Sequence, residues 1–459
     1  RQIIRVGFNM EAGLIEIGNI PERHLRDEFI ILVDQPASDS VRRNAPQADM
    51  QEIDGWARSF HTVEGIMASI MQFSKPLFHD PTDPIWHDVK RETLMKIGSL
   101  FPQVQSLPFE GGVDHVGFES SSSAGYGYDG KNGEGNNFHR AKSIANAAVR
   151  KFSEDIDNQG YDYAVSHLIQ QGTPDIAFTR TQLAKLPSIK VRIVFGEAFH
   201  NILIEPLSAA PLLEAFKRMD TFYFSGKGPN NLRSKNRTQD EHKRTMGLSA
   251  LTGKAFDASV QLWEIDHAFN CSQQLLACPT ELSRLAFLFT RESFKQRKLA
   301  DPNGILWMRK GGIPSGSYYT NIIGSVINYN RIEYVCKRLG LQKTSCYVQG
   351  DEPLIHITGD AKPDLTQLQM LGEQFGWTLN IPKCSLTQDS QLVTFLGRSQ
   401  MHQLNIRERL KVLRLMCFPE YNLEDPNLST TRVKAIARDA GWSDPVDNKI
   451  YLQLKRLYG

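Results

Sequence analysis

Apolar and polar residues along the chain change period several times, and the changes predict a mixture of helices and strands with no internal repeat. After Arg140 the stretch AKSIANAAVRKF has helical spacing, and AAPLLEAFKRM returns to it. Between them IKVRIVFGEAFHNILIEP, residues 189–206, reads as strand. KAFDASVQLWEIDHAFN is expected to begin as a strand and run into an amphipathic helix. KGGIPSGSYYTNIIGSVINYNRIEYVCKRL predicts a glycine turn opening a helix, with Ser315 and Gly316 at the helix start. SCYVQGDEPLIHIT, residues 345–358, holds two short β-rich runs joined by Gln-Gly-Asp-Glu, a hairpin with the permissive Gly350 at its tip. LTQLQMLGEQFG is helical, and WTLNIPKCSL with SQLVTFLGR predicts a second hairpin. From Met401 the chain is charged and helical, and KVLRLMCF there suits a core or a contact surface equally.

Two stretches are too rich in Gly, Ser and Asn for regular structure: residues 110–142 and 225–243. Loops of such length are functional or disordered. In the first, GYGYDG (residues 125–130) has the spacing of a dinucleotide fingerprint, but a serine run precedes it where an apolar strand belongs. It is therefore not read as a nucleotide cradle.

Composition narrows the field only modestly. With 53 basic and 51 acidic side chains the net charge is +2, which excludes an acidic solvating chain and a histone-like one. A nucleic-acid binder stays open, because a large enzyme can concentrate positive charge in one channel. No apolar run has the length of a membrane span, so a soluble chain without a membrane partner is expected, and RQIIRVGFNM lacks the apolar core of a secretory signal. Six cysteines, with no CxxC pair, read as small buried thiols in a reducing compartment rather than as metal ligands.

The chemistry gathers at Asp351 and Glu352. An ordinary hairpin needs no adjacent carboxylates, and their mutual repulsion is relieved most easily by a cation. Around them lie GIPSGSYYTNIIGSVIN (312–328), FDASVQLWEIDHAF (256–269), NIPKCSL with VTFLGR, KVRIVFGEAFHNILIEP and SSSAGYG. In that company QGDE resembles the GDD turn of RNA-directed RNA polymerases, particularly those of double-stranded RNA viruses of the partitivirus and picobirnavirus kind. The similar stretches keep the family's order and cover about Ser120 to Arg398.

The resemblance implies an α+β right-hand fold of fingers, palm and thumb, with an antiparallel palm sheet flanked by helices. The expected division is 1–245 for the N-terminal region and fingers, 246–275 for the first part of the palm and 276–304 for a fingers insertion. The second part of the palm follows at 305–400 and the thumb at 401–459. The implied activity is replication and transcription of a viral RNA genome by nucleotidyl transfer, with two divalent ions about 4 Å apart held by carboxylates of neighbouring strands. The ions are expected to be magnesium, or manganese, held by Asp351, Glu352 and Asp257. Lys190 and Arg192 would bind the triphosphate, arginine being suited to bidentate phosphate contact. Asp257, Ser315, Gly316 and Thr320 would meet the nucleotide; Ser123, Gly125 and Ser315 would guide template. Lys383 would protonate the leaving pyrophosphate. RNA, ribonucleoside triphosphates and a capsid protein are the expected partners, in the virion interior and the host cytoplasm.

Two positions depart from the family pattern. Aligning its Phe–Asp pair on Phe256–Asp257 puts Thr252 where the leading metal-binding Asp belongs, and Asp257 on the acid that senses the ribose 2′-hydroxyl. Glu352 replaces an Asp, moving the carboxylate on the order of 1 Å where magnesium demands near-ideal geometry. A threonine in place of the leading acid is expected to cost several kcal/mol of transition-state stabilisation, or thousands-fold in rate. The alternative is therefore a polymerase-shaped protein that binds RNA or assembles with a partner without polymerising.

Overall fold

The computed structural model describes residues 11–21, 31–188, 190–224, 246–249, 255–358, 364–381, 384–387, 392–401 and 404–459. Thr252 and Lys383 lie outside the described residues, as does the whole of the basic stretch 225–243.

Short-range chemistry sets many of the helix starts. Asp34, Asp83, Asp425 and Asp444 each precede a proline at the first or second helical position and accept a hydrogen bond from a backbone N–H of the first turn. Proline there loses no intrahelical bond, and each aspartate satisfies one otherwise orphaned donor. The helix Asn137–Gln159 buries Ala141, Ala145, Val149 and Phe152, a stripe at helical spacing, and stops at Gly160, whose φ is +89°.

Two sheets carry the centre. In the first, strands run in the order Leu14–Asn19, Ile305–Lys310, Gln296–Ala300, Asp175–Thr181, Val191–Gly196, all antiparallel except the pair Asp175–Thr181 with Gln296–Ala300. The second is wholly antiparallel, in the order Gln342–Gln349, Glu352–Thr358, Met246–Ser249, Ser385–Thr387. Against the second sheet lies the helix Thr320–Arg338, buried on nearly every side, so that Ser325, Asn328, Asn330 and Arg331 are interior polar residues. The largest apolar core joins this helix to Leu262–Gln274, Glu281–Lys295 and Asn137–Gln159. A separate core unites the helices Gln35–Asn44 and Gln47–Ile53 with Arg409–Cys417, Pro426–Asp439 and Pro445–Tyr458. The first two helices therefore pack with the C-terminal ones, and KVLRLMCF is core, its Val412, Leu413, Met416 and Cys417 all buried.

Several elements differ from the sequence expectation. FDAS is a short helix, Phe256–Ser259, and the strand lies upstream at Met246–Ser249. The left-handed Ala255 (φ +53°) opens this short helix and a reciprocal cap between Gln261 and Glu264 opens a second, so two helices stand where a strand running into one helix was expected. FHNILI is helical, not strand, and Phe199, His200, Asn201, Leu203 and Ile204 are all buried, which hides helical periodicity. The helix after GGIPSGS begins at Thr320, because Gly316 has φ +132°. The second expected hairpin splits: Ser385–Thr387 joins the sheet beside Met246–Ser249, whereas Thr394–Phe395 pairs with Arg398–Met401. Leu396 and Gly397 both have positive φ, the signature of a two-residue type I′ turn, so FLGR is itself a hairpin tip.

Candidate active site

The pairing of Gln349 with Glu352 leaves Gly350 and Asp351 as the turn. Gly350 alone has positive φ (+57°), as the first central residue of a type II′ turn requires. The buried helix grips this turn from beneath. Gly350 N–H donates to Ser325 Oγ (2.8 Å), and Asn328 Nδ2 donates to the Gly350 carbonyl (2.9 Å). The helix passes close beneath the turn at Gly324, where a Cβ would make ordinary contact with Gly350 Cα at 3.7 Å and a tighter one with Ile313 Cδ1 at 3.3 Å. The carboxylate of Asp351 is thereby carried on a turn with both backbone groups of its neighbour fixed.

Asp257 reaches the same place from the Phe256–Ser259 turn. Its carbonyl accepts from Ile313 N–H and that of Val260 from Gly312 N–H, both at 2.8 Å, which ties it to the GGIPSGS loop. Ser315 Oγ donates to Asp257 Oδ2 at 2.9 Å. Burial pushes Asp257 up to about 6, with the charge of Asp351 adding, while the Ser315 hydrogen bond and the Arg192 guanidinium oppose. Asp257, Asp351, Ser315 and Arg192 are therefore electrostatic neighbours, four sequence-predicted residues drawn together from segments far apart in the chain.

Backbone contacts extend the site on both sides. Phe195 N–H donates to the Ser315 carbonyl (2.7 Å), and a Cβ on Gly316 would meet the Phe195 carbonyl oxygen at 2.4 Å. Gly316 is required there by both space and φ. On the far side a Cβ on Gly125 would lie 2.4 Å from the Glu197 carbonyl oxygen, and Phe199 N–H donates to the Ala124 carbonyl (3.0 Å). Ser123 is exposed in that same loop and accepts from Gly125 N–H. The Val191–Gly196 strand thus joins the Ser123–Gly125 loop to the Ser315–Gly316 loop, with Arg192 exposed opposite Arg180 and Lys190 exposed just before the strand. Two arginines facing across a ladder repel and favour an anion between them.

Two expected site residues are otherwise engaged. Thr320 Oγ1 donates to the Pro314 carbonyl (2.6 Å), closing the loop. Glu352 Oε2 accepts from Leu396 N–H (2.9 Å) in the FLGR turn. Arg398 and Arg407 of that small sheet and its flank bind Asp439 at the end of the Pro426–Asp439 helix. Glu352 thereby links the hairpin to the C-terminal helices.

The sequence reading missed Ser325 and Asn328, although polar residues three apart in an apolar helix are a usable signal. It also missed Arg331, which binds Glu264 through two 2.7 Å contacts, donates to Ser259 Oγ (3.2 Å) and stacks between Phe256 and Trp377. Arg331 locks the elements that carry Asp257 and Asp351 together.

No three His, Cys, Asp or Glu side chains group as a metal centre among the described residues. The donor set at the turn still suits a hard divalent cation, because the Asp351 charge opposes ionisation of the buried Asp257 and a cation relieves that repulsion, magnesium completing its shell with substrate phosphate and water. No helix among the described residues is long and apolar enough to cross a membrane.

A family model described as viral RNA-dependent RNA polymerase matches residues 32–455. No curated protein matches the chain.

Proposed function

The chain belongs to the viral RNA-dependent RNA polymerase family, and from that membership together with the motif resemblance we propose that it copies an RNA genome of a double-stranded RNA virus by nucleotidyl transfer at the Asp257–Asp351 site. The observation that carries the reading is the convergence of Asp257, Asp351, Ser315 and Arg192, which combines cation-holding, ribose-reading and phosphate-binding chemistry. The second sheet and the Thr320–Arg338 helix correspond to a palm, the Val191–Gly196 sheet and the Ser123 loop to fingers, and the C-terminal helices to a thumb.

Asp351 and Asp257 would hold magnesium, or manganese, which when bound neutralises the triphosphate and polarises the attacking hydroxyl. Arg192 and Lys190 orient the triphosphate, and Arg180 adds charge beside them. Asp257, held by the Ser315 hydroxyl, accepts a hydrogen bond from the ribose 2′-hydroxyl; a deoxyribose leaves that acceptor unpaired, the basis of strong discrimination. Ser123, Gly125 and Ser315 shape the template path. Lys383 remains the proposed donor of a proton to pyrophosphate.

A second reading, an RNA-binding polymerase relative without turnover, is favoured by the commitment of Glu352 to Leu396 and by Thr252 in the sequence. RNA synthesis by the purified chain on a single-stranded template, in magnesium and separately in manganese, decides between them. Template-dependent product supports the first reading. Product from Thr252→Asp alone establishes the second.

A further inference from the structure

On the polymerase reading, what lies beneath the loop that carries Ser315 bears on the site itself. Glu205 is 1% exposed and lies between the helices Phe199–Ile204 and Pro206–Arg218. Its Oε2 accepts two hydrogen bonds from that loop, from Ser317 Oγ at 2.8 Å and from Tyr318 N–H at 2.9 Å. Ser317 Oγ in turn accepts from Tyr319 N–H (3.1 Å), and Tyr319 Oη donates to Ser208 Oγ (2.8 Å). Behind Glu205 sits Arg297, itself buried, with Asp175 at 3.1 Å, Glu197 at 2.8 Å and Glu205 at 3.5 Å. A carboxylate this deep is costly unless its lone pairs are used, and here the use is to hold two donors of one loop.

The loop is pinned at several points: Gly312 and Ile313 N–H donate to the Val260 and Asp257 carbonyls, Thr320 Oγ1 donates to the Pro314 carbonyl, and Tyr318 Oη donates to the Gly117 carbonyl. At one end Arg309 donates to the carbonyls of Gly311 and Gly312, and Phe195 N–H holds the Ser315 carbonyl. At the other end Glu205 holds Ser317 and Tyr318. Between these two clasps lies Gly316, and next to it the Ser315 hydroxyl that bonds Asp257. Upstream of Gly316 the backbone is held independently of Glu205, whereas downstream Glu205 holds both Ser317 Oγ and Tyr318 N–H, so its loss loosens the loop on that side of the Ser315 hydroxyl.

We infer that Glu205 is a positioning residue for ribose selection: by fixing Ser317 and Tyr318 it sets the Ser315 hydroxyl on Asp257, while touching neither substrate nor metal itself. The role needs an acceptor oxygen at Oε2 and not a charge, because both donors converge on that one atom. Glutamine supplies the oxygen; alanine does not.

The test compares the full chain with Glu205→Gln, Glu205→Ala and Ser317→Ala, the last a small change that leaves the Arg297 cluster intact. For each, kcat/KM is measured for ATP and for dATP on one template. Glu205→Gln keeps the parental ratio, while Ser317→Ala and Glu205→Ala lower it by about tenfold, the scale of one hydrogen bond to a charged group. Loss of total activity with an unchanged ratio in folded Ser317→Ala overturns the inference, and so does loss of selectivity in Glu205→Gln. A parent that makes no RNA sinks the polymerase reading, and equilibrium binding of ATP against dATP to the same four proteins then decides. A binding ratio that falls in Ser317→Ala upholds the positioning role; an unmoved ratio, or a parent that binds both alike, overturns it.

Discussion

Replacing Asp257 with asparagine should stabilise the folded chain at neutral pH while abolishing its chemistry. Asparagine keeps an oxygen for the Ser315 hydroxyl and removes the charge that faces Asp351. The magnitude follows from linkage. Asp257 rises from 3.8 to about 6 on folding, through burial and the neighbouring Asp351 charge. A folded value above the unfolded one favours the native state in acid, and that advantage is lost as pH rises from about 4 through about 6. Relative to acid, the ionised group then costs the native state at most about 3 kcal/mol above pH 7, at 1.36 kcal/mol per unit. Partial exposure of the carboxylate reduces this to about 1–2 kcal/mol by solvent screening. Denaturant unfolding of parent and Asp257→Asn, in chelator, at pH 5 and pH 8, measures it. The variant's advantage should be larger at pH 8, and magnesium should restore the parent more than the variant. A variant equally destabilised at both pH values would refute the reasoning.

Other substitutions test separate contacts. Gly316→Ala places a Cβ against the Phe195 carbonyl at an unfavourable φ, so nucleotide incorporation should fall at least about a hundredfold with the circular dichroism unchanged; a rate within about threefold of the parent contradicts it. Arg331→Ala strands the buried Glu264 carboxylate and should cost about 3–5 kcal/mol in denaturant unfolding, a loss under about 1 kcal/mol showing that the pair is dispensable. Glu352→Gln keeps an acceptor for Leu396 N–H and should retain most RNA synthesis, whereas Glu352→Asp is too short to reach it and should lose more. The reverse order would identify Glu352 as a metal ligand.

How far the sequence foretold this arrangement depends on the range of the interaction. The Gly350–Asp351 turn was legible because glycine between β-rich runs has few alternatives, and the helix after GGIPSGS was legible by its length. Asp257, Ser315, Arg192 and Asp351 could be named from their motifs, but the hydrogen bond and the charge coupling that unite them cross from one segment to another. FHNILI read as strand because a helix buried on all sides shows no polar face to set its period. FLGR was placed at the end of a hairpin when it is a tip, because leucine at positive φ has no sequence signature. Glu205 and Arg297 gave no signal at all: each is an ordinary charged residue whose meaning lies in the other elements packed around it. The packing of Gln35–Asn44 with Pro445–Tyr458 is equally non-local, joining the two ends of the described chain.

The central claim is that the hairpin acid Asp351, with Asp257, supports RNA synthesis. Single-nucleotide incorporation by the parent and by Asp351→Asn, on one RNA template with magnesium or manganese, tests it most directly. The parent should incorporate the nucleotide and Asp351→Asn should lose at least about a thousandfold, the scale of removing a charged group from a phosphoryl-transfer site. Incorporation by Asp351→Asn at the parental rate would contradict it.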